Sequence, residues 1–144
     1  MQLSPLCMAL YGNKHRDMIN KLFTNDIYIK VSENRFEAKN ISTNGNWESI
    51  QPDQPFTTER LLVGTFSAAE PALTSLLKSI SGNGIIRKSA KVVIHPIAKV
   101  EGGLSEVEER IFRELSLGAG AIKVALHTGP ELTDSEALKL IRSV

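Results

Sequence analysis

Two short apolar runs on either side of an amphipathic segment restrict the fold of this chain strongly. The runs are KVVIHPI at residues 91–97 and IKVAL at residues 122–126, and both are rich in β-branched residues without polar alternation. Such runs are typical of parallel strands that are covered on both faces. A strand, a helix and a second strand in this order form a right-handed crossover. The sequence therefore predicts a parallel pair of strands joined by a crossover helix.

Three segments have the pattern of a capping box, in which a Ser or Thr is followed three residues later by Glu. The pairs are Ser67 with Glu70, Ser105 with Glu108, and Thr133 with Glu136. In this motif the hydroxyl oxygen accepts a hydrogen bond from the amide three residues on, and the carboxylate accepts one from the cap amide. Three helices are therefore predicted, and Ser105 is interpreted as a helix cap rather than as a nucleophile.

Apolar spacing predicts which side of each helix is buried. The first helix is expected to bury Leu73, Leu76, Leu77 and Ile80 and to end at Gly82. The second is expected to bury Val107, Ile111 and Leu115. Gly118 is predicted to be the left-handed residue that ends this second helix and lets the chain turn into the next strand.

Three further runs with strand character precede the helices. They are DIYIKVS at residues 26–32, RFEAKNIS at 35–42 and NWESI at 46–50, with turn residues between them and Asn44-Gly45 as the strongest hairpin signal. Strands joined by tight turns form an antiparallel meander. The segment QPDQPF at residues 51–56 contains two prolines and is interpreted as a linker.

Composition excludes several classes of function. The 144 residues include 17 basic and 16 acidic side chains, so there is no excess of positive charge to bind nucleic acid. The one cysteine, Cys7, cannot form an internal disulfide, which fits a reducing compartment. No run approaches the roughly 18 apolar residues that a membrane span needs. We therefore expect a cytoplasmic protein.

The chain is divided into an N-terminal segment, residues 1–24, and a single α/β domain, residues 25–144. Within the first part, HRDMINKLF at residues 15–23 has the spacing of a short basic amphipathic helix. Such a helix could pack on the domain's own core or make weak peripheral contact with a membrane, without stable insertion.

Several stretches resemble one subdomain of the bacterial actin MreB. They are LFTNDIYIKV, IIRKSAKVVIHP and EVEERIFRELSLGAGAIKVAL. The combination EGGLSEVEERI also resembles the YjaA family of small enterobacterial proteins, which are associated with stress responses. The resemblance implies a ribonuclease H or actin-like α/β subdomain, with a three-stranded antiparallel meander followed by parallel strands and crossover helices.

The chain departs from the bacterial actins where they bind nucleotide. Their first strand leads into Asp-x-Gly-Thr, and the resemblance places Lys30 at the aspartate and Ser32 at the glycine. A lysine cannot ligate magnesium, and a side chain at the glycine obstructs a phosphate. Residues 127–130, His-Thr-Gly-Pro, stand where the actins carry Glu-Glu-Pro, and we expect that these 144 residues alone do not build the two-lobed cleft that holds nucleotide. We expect no ATPase activity and no bound cofactor.

These observations favour a non-enzymatic, nucleotide-independent protein-interaction or regulatory module derived from an actin subdomain. Its protein partner is not named by the sequence, and a role in stress response is implied only by the YjaA resemblance. Trp47 and Phe56 lie near the proline-rich linker, where they could anchor a partner or cover the edge of the sheet.

An alternative hypothesis is a small enzyme or a metal- or ligand-binding domain. His95 and His127 are predicted to lie at the carboxyl ends of the fourth and fifth strands, where open α/β sheets bind ligands, and the two rings could face one crevice if those strands are neighbours. Glu101, in the long loop after the first of these strands, could supply a third polar group. No His-x-x-x-His or His-Glu-x-x-His spacing supports metal ligation.

Overall fold

The predicted order of strands and helices is confirmed in the part of the chain that the structure describes. The computed structural model describes residues 24–82 and 89–144. The elements are β1 Thr24–Ser32, β2 Arg35–Asn40, β3 Glu48–Ile50, α1 Phe66–Ser81, β4 Ser89–Pro96, α2 Glu106–Gly118, β5 Ala121–Leu126 and α3 Asp134–Ser143. The helix predicted at residues 15–23 lies outside the described residues. Within the described ranges, the helices lack the length and apolar character needed to cross a bilayer.

The five strands form one mixed sheet in the order β3-β2-β1-β4-β5. The first three strands pair antiparallel, as the meander prediction requires, while β4 pairs parallel to β1 and β5 parallel to β4. The turn between β1 and β2 contains only Glu33 and Asn34, and Asn34 has a φ of 55°. Asn44 also adopts the left-handed region, with a φ of 52°. Asparagine tolerates this conformation better than most residues, which explains both turn signals.

Both faces of the central strands are buried. On one face α1 and α2 cover a large core that includes Ile27, Ile29, Val92 and Ile94. On the other face α3 covers a smaller core formed by Tyr28, Ile41, Val93, Ala125, Ala137 and Ile141. Because successive residues of β1 and β4 point to opposite covered faces, the strands are apolar at consecutive positions.

The capping boxes at Ser105 and Thr133 are confirmed, but the one predicted at Ser67 is wrong. Helix α1 begins at Phe66, and its cap residue, Thr65, makes no side-chain capping hydrogen bond. The backbone carbonyl of Phe56 accepts hydrogen bonds from the amides of Gly64 and Thr65, both at 2.9 Å. These bonds from a distant segment fix the helix start ahead of Ser67, which lies inside the first turn.

Helix α2 differs from its predicted arrangement in two ways. Val107 is 67% exposed, whereas Phe112 is buried together with Leu115. Gly118 is the last helical residue and is not left-handed; the positive φ, 113°, belongs to Gly120. A Cβ atom at Gly118 would lie 3.0 Å from Oε2 of Glu70. Glycine at this position therefore leaves room for the carboxylate of Glu70, the flexible end of a side chain on α1.

Candidate functional site

The polar side chains of interest meet at the carboxyl ends of β1, β4 and β5, on the face that α3 covers. Residues 127–132, which we call the cover segment, connect β5 to α3 across these strand ends. Tyr28 and Lys30 alternate along β1 on this face, and His95 lies near the end of β4. The site is therefore built from three strands and one connecting segment.

His95 is held by hydrogen bonds at both of its ring nitrogens. The hydroxyl of Tyr28 lies 2.8 Å from Nδ1, and the backbone carbonyl of Gly129 lies 2.8 Å from Nε2. A carbonyl oxygen can only accept, so Nε2 carries a proton and donates it to Gly129. The Tyr28 oxygen accepts a hydrogen bond from the Leu132 amide at 3.1 Å and donates its own proton to Nδ1. The arrangement is complete for a neutral imidazole.

Burial keeps this pair uncharged. His95 is 2% exposed and Tyr28 is 1% exposed. Burial lowers the pKa of His95, against a smaller raising effect of the hydrogen bond to Gly129. Burial likewise raises the pKa of Tyr28, against a smaller lowering effect of the Leu132 amide. At neutral pH both groups therefore act as hydrogen-bonding anchors of the cover segment.

His127 lies directly against His95, because the strands that precede them, β5 and β4, are neighbours in the sheet. The two ring centroids are 4.7 Å apart, and the ring planes meet at 63°. Nε2 of His127 donates a hydrogen bond to the carbonyl of Pro130 at 2.8 Å. This bond closes the cover segment on itself, so His127 also takes part in shaping the backbone.

Glu101 is not brought to the two histidines. It is exposed in the loop between β4 and α2 and makes no hydrogen bond or ion pair with either ring. Ala98 and Leu104, on either side of it, pack against the core under α1 and α2 on the opposite face of the sheet. Within residues 24–82 and 89–144, no group of three or more His, Cys, Asp or Glu side chains is placed to hold a metal ion.

Lys30 bridges the site to the cover segment. Its Nζ atom lies 2.9 Å from Oε1 of Glu131 and 3.9 Å from Oε2 of Glu37. The same ammonium lies 4.2 Å from the centroid of the Trp47 ring, within range of a cation–π interaction. A positive charge with these partners occupies the position that the resemblance assigns to the magnesium-binding aspartate.

Ser32, the other position compared with the nucleotide-binding motif, is the last residue of β1. It pairs with Arg35 across the two-residue turn into β2. The chain thus reverses immediately after Ser32 and leaves no backbone loop there to surround a phosphate.

The two aromatic residues of the predicted partner surface have different environments. Trp47 is 39% exposed and packs edge-to-face against Tyr28, with ring centroids 5.5 Å apart. Phe56 has no exposed surface and stacks on Phe36 at 4.6 Å. Phe56 therefore belongs to the core rather than to a contact surface, because its linker folds back onto the sheet.

Sequence reasoning missed two members of the site, Tyr28 and Glu131. Tyr28 carried a usable signal, since a hydroxyl in an otherwise apolar buried strand requires a partner. Glu131 gave no such signal, because Lys30, with which it pairs, lies 101 residues away along the chain.

A small cavity lies on the opposite face of the sheet. Its lining includes Leu62, Leu104 and Ile111, and its volume is about 10 Å³. This volume holds about one water molecule. The cavity is therefore too small for a metabolite.

Comparison with known proteins gives one similar chain of unknown role. No family model matches the sequence. Over 102 residues the chain is 29% identical to the uncharacterized protein YjaA of Escherichia coli (strain K12), in an alignment that covers 67% of this chain and 78% of YjaA. The similarity to YjaA thus extends over about two thirds of this chain.

Proposed function

We propose that this protein is a non-enzymatic, nucleotide-independent module for protein interaction or regulation. The observation that carries the proposal is the closure of the strand ends by the cover segment. Open α/β sheets bind ligands outside the carboxyl ends of their parallel strands. Here that position is taken by the ion pair of Lys30 with Glu131 and by the bonds of His95 to Tyr28 and Gly129.

The strand order supports an origin in a ribonuclease H or actin-like subdomain. An antiparallel meander that continues into parallel strands through crossover helices is the arrangement that the MreB resemblance implies. Under this proposal the fold has kept its core and lost the residues that contact magnesium and phosphate. A cytoplasmic location and a role in stress response are parts of the proposal that follow from composition and from the YjaA resemblance alone.

The alternative is a small enzyme or metal site at His95 and His127, and ligation of a metal requires a free lone pair on each imidazole. Nδ1 of His95 accepts a hydrogen bond from the Tyr28 hydroxyl, and Nε2 of His95 donates one to the carbonyl of Gly129. Ligation through His95 would break at least one of these bonds in a site from which water is excluded. The geometry therefore favours the module over the enzyme.

Isothermal titration of the purified chain tests the proposal. Magnesium ATP, magnesium ADP and metal-free ATP are titrated separately, and each is expected to give only the heat of dilution. A Lys30→Ala variant serves as the matched control, since a nucleotide bound at the strand ends would respond to this substitution. Saturable binding of magnesium ATP that changes in Lys30→Ala would overturn the proposal of nucleotide independence.

A further inference from the structure

Strand β5 forms an edge of the sheet, and no other described strand pairs with its outer side. Its amide at the carboxyl end bonds inward, since His127 donates to the carbonyl of Ile94 at 3.0 Å. In a parallel strand each residue directs its amide and its carbonyl to the same side, and alternate residues point to opposite sides. Val124 and Leu126 therefore direct their backbone groups away from β4.

One outward group of this edge already has a partner from outside the sheet. Nη1 of Arg113, on α2, donates to the carbonyl of Val124 at 3.2 Å. This contact confirms the outward direction of the Val124 carbonyl and places a guanidinium beside the edge. A donor can thus reach this edge from the side, and at Val124 an added strand would have to share the carbonyl with Arg113 or displace it.

Two lysines beside the edge of β5 lack, in the described parts of the chain, the ion pairs that Lys30 and Lys39 make on the same face of the sheet. Lys123 is the register partner of Lys91 in the parallel pair of β4 and β5, just after the register shift that precedes Lys91. Like charges directly opposite on neighbouring strands destabilise a sheet. Neither lysine makes an ion pair within the described residues, and Asp26, the register partner of Lys91 on β1, forms none with it.

We propose that the outer edge of β5 accepts an extended segment of a partner protein as a sixth strand, with an acidic side chain placed against Lys123. Peptides that add to a sheet edge gain affinity from backbone hydrogen bonds and specificity from alternate side chains. An acidic residue would neutralise the positive charge of Lys123, which has no acidic partner across the strand in the described part of the sheet, whereas Lys91 has Asp26 opposite it on β1. Ile122, which is 56% exposed, offers an apolar contact next to it.

A second copy of this chain is a less suitable occupant. Pairing of two copies through the same edge would place Lys123 of both chains on the two strands that pair. The repulsion that the edge already contains would be increased rather than relieved. The charge therefore selects a different, acidic segment.

Selection of short random peptides displayed on a carrier, with the full chain as bait, tests this inference. Enriched peptides are expected to alternate acidic with apolar residues. Lys123→Glu is expected to weaken their binding about tenfold or more, because it places a like charge at the contact. The same variant is expected to raise the midpoint of thermal unfolding, because it removes the repulsion with Lys91. Lys139→Glu, an equal charge change at an exposed position of α3, is the matched control and is expected to leave binding unchanged.

Amide hydrogen exchange gives the backbone readout. In the free chain the amides of Val124 and Leu126 should exchange readily, and an enriched peptide should slow both. The inference is overturned by a failure to enrich peptides, by equal binding to Lys123→Glu and the parent, or by unchanged exchange in the complex. It is also overturned if both amides are already protected in the free chain. Protection that depends on protein concentration would then identify a second copy, and protection independent of concentration a segment of the same chain.

The inference rests on the proposed function, in that it names the surface and partner chemistry of an interaction module. Different results would overturn the proposed function and the inference about the β5 edge. Saturable nucleotide binding at the strand ends would overturn the proposed function and leave the β5 edge untouched. An occupied or inert edge would overturn the inference and leave the closed strand ends as they are.

Discussion

Polar groups are paired within the protein at the carboxyl ends of the strands, whereas in the described part of the chain charged groups at the outer edge of β5 are not. At the strand ends Lys30 pairs with Glu131, and His95 makes two hydrogen bonds inside the chain. At the edge of β5, Lys91 and Lys123 face each other without an ion pair in the described residues. A set of polar groups satisfied internally holds the protein's own structure together. An unbalanced set can be neutralised by a partner. The strand ends therefore stabilise the fold, and the edge of β5 is the surface that we propose for recognition.

Substitution of His95 should give the largest effect. His95→Ala removes a buried ring and leaves the Tyr28 hydroxyl and the Gly129 carbonyl without their partner. We expect a loss of about 3 kcal/mol in the free energy of unfolding, from a cavity and two unsatisfied groups together. Urea unfolding measures it. A loss below that of the matched His127→Ala variant would contradict the structural role assigned to His95.

Removal of the Tyr28 hydroxyl isolates the hydrogen bonds from the packing. Tyr28→Phe keeps the ring in the core and leaves His95 Nδ1 and the Leu132 amide unpaired. The expected cost is about 2 kcal/mol, since buried polar groups left without a partner carry a full desolvation penalty. Chemical denaturation provides the measurement. A neutral result would indicate that water or another group replaces the hydroxyl and that the strand ends are more open than described.

The pH dependence of stability should come next in size. Burial lowers the pKa of His95 in the folded chain, so the unfolded chain binds more protons once pH falls below the ordinary value of about 6.5. The stability contributed by neutral His95 is therefore present above that value and is lost as pH falls. Each pH unit below it should cost at most about 1.4 kcal/mol.

Unfolding curves of the parent chain and a His95→Leu variant across the acidic range test this dependence. The parent should lose more stability than the variant on acidification, because the variant lacks the titrating group. Equal slopes for the two chains would show that His95 titrates in the folded state as it does in the unfolded state.

The smallest effects on the free energy of unfolding should have opposite signs at the strand ends and at the edge of β5. Glu131→Gln removes the partner of Lys30, and because Glu131 is 60% exposed we expect a loss of about 0.5 kcal/mol. Lys123→Gln removes one of two facing lysines, and we expect a gain of about 0.3 kcal/mol. Thermal unfolding in low salt resolves both changes, and high salt should reduce them. Changes of the same sign would remove the distinction drawn between the two regions.

Much of the fold could be predicted because its signals are local. Apolar runs, turn residues and the capping boxes at Ser105 and Thr133 depend on neighbours within a few residues. The errors came from contacts that are distant in sequence. Hydrogen bonds to the carbonyl of Phe56 set the start of α1, and packing against the sheet turned Phe112 inward and Val107 outward.

In the candidate site, too, local features could be predicted and contacts between residues far apart in sequence could not. The sequence placed His95 and His127 at the ends of two strands, but their contact depends on β4 and β5 being neighbours, which only the structure shows. The hydrogen bond of Tyr28 to His95 joins residues 67 positions apart, and no local pattern indicates it. Nor did the sequence show that Phe56 would be buried and Trp47 left partly exposed.

The central claim is that His95 is a structural anchor with both ring nitrogens occupied. Nitrogen NMR of the histidine rings in the full chain, recorded with and without zinc or magnesium ATP, tests it most directly. We predict a neutral Nε2-protonated tautomer for His95 that does not become charged near the ordinary histidine pKa of about 6.5 and does not respond to either addition. A His95 ring that titrates near that pH, or whose Nδ1 signal shifts on addition of zinc, would contradict the account and return the strand ends to the list of candidate active sites.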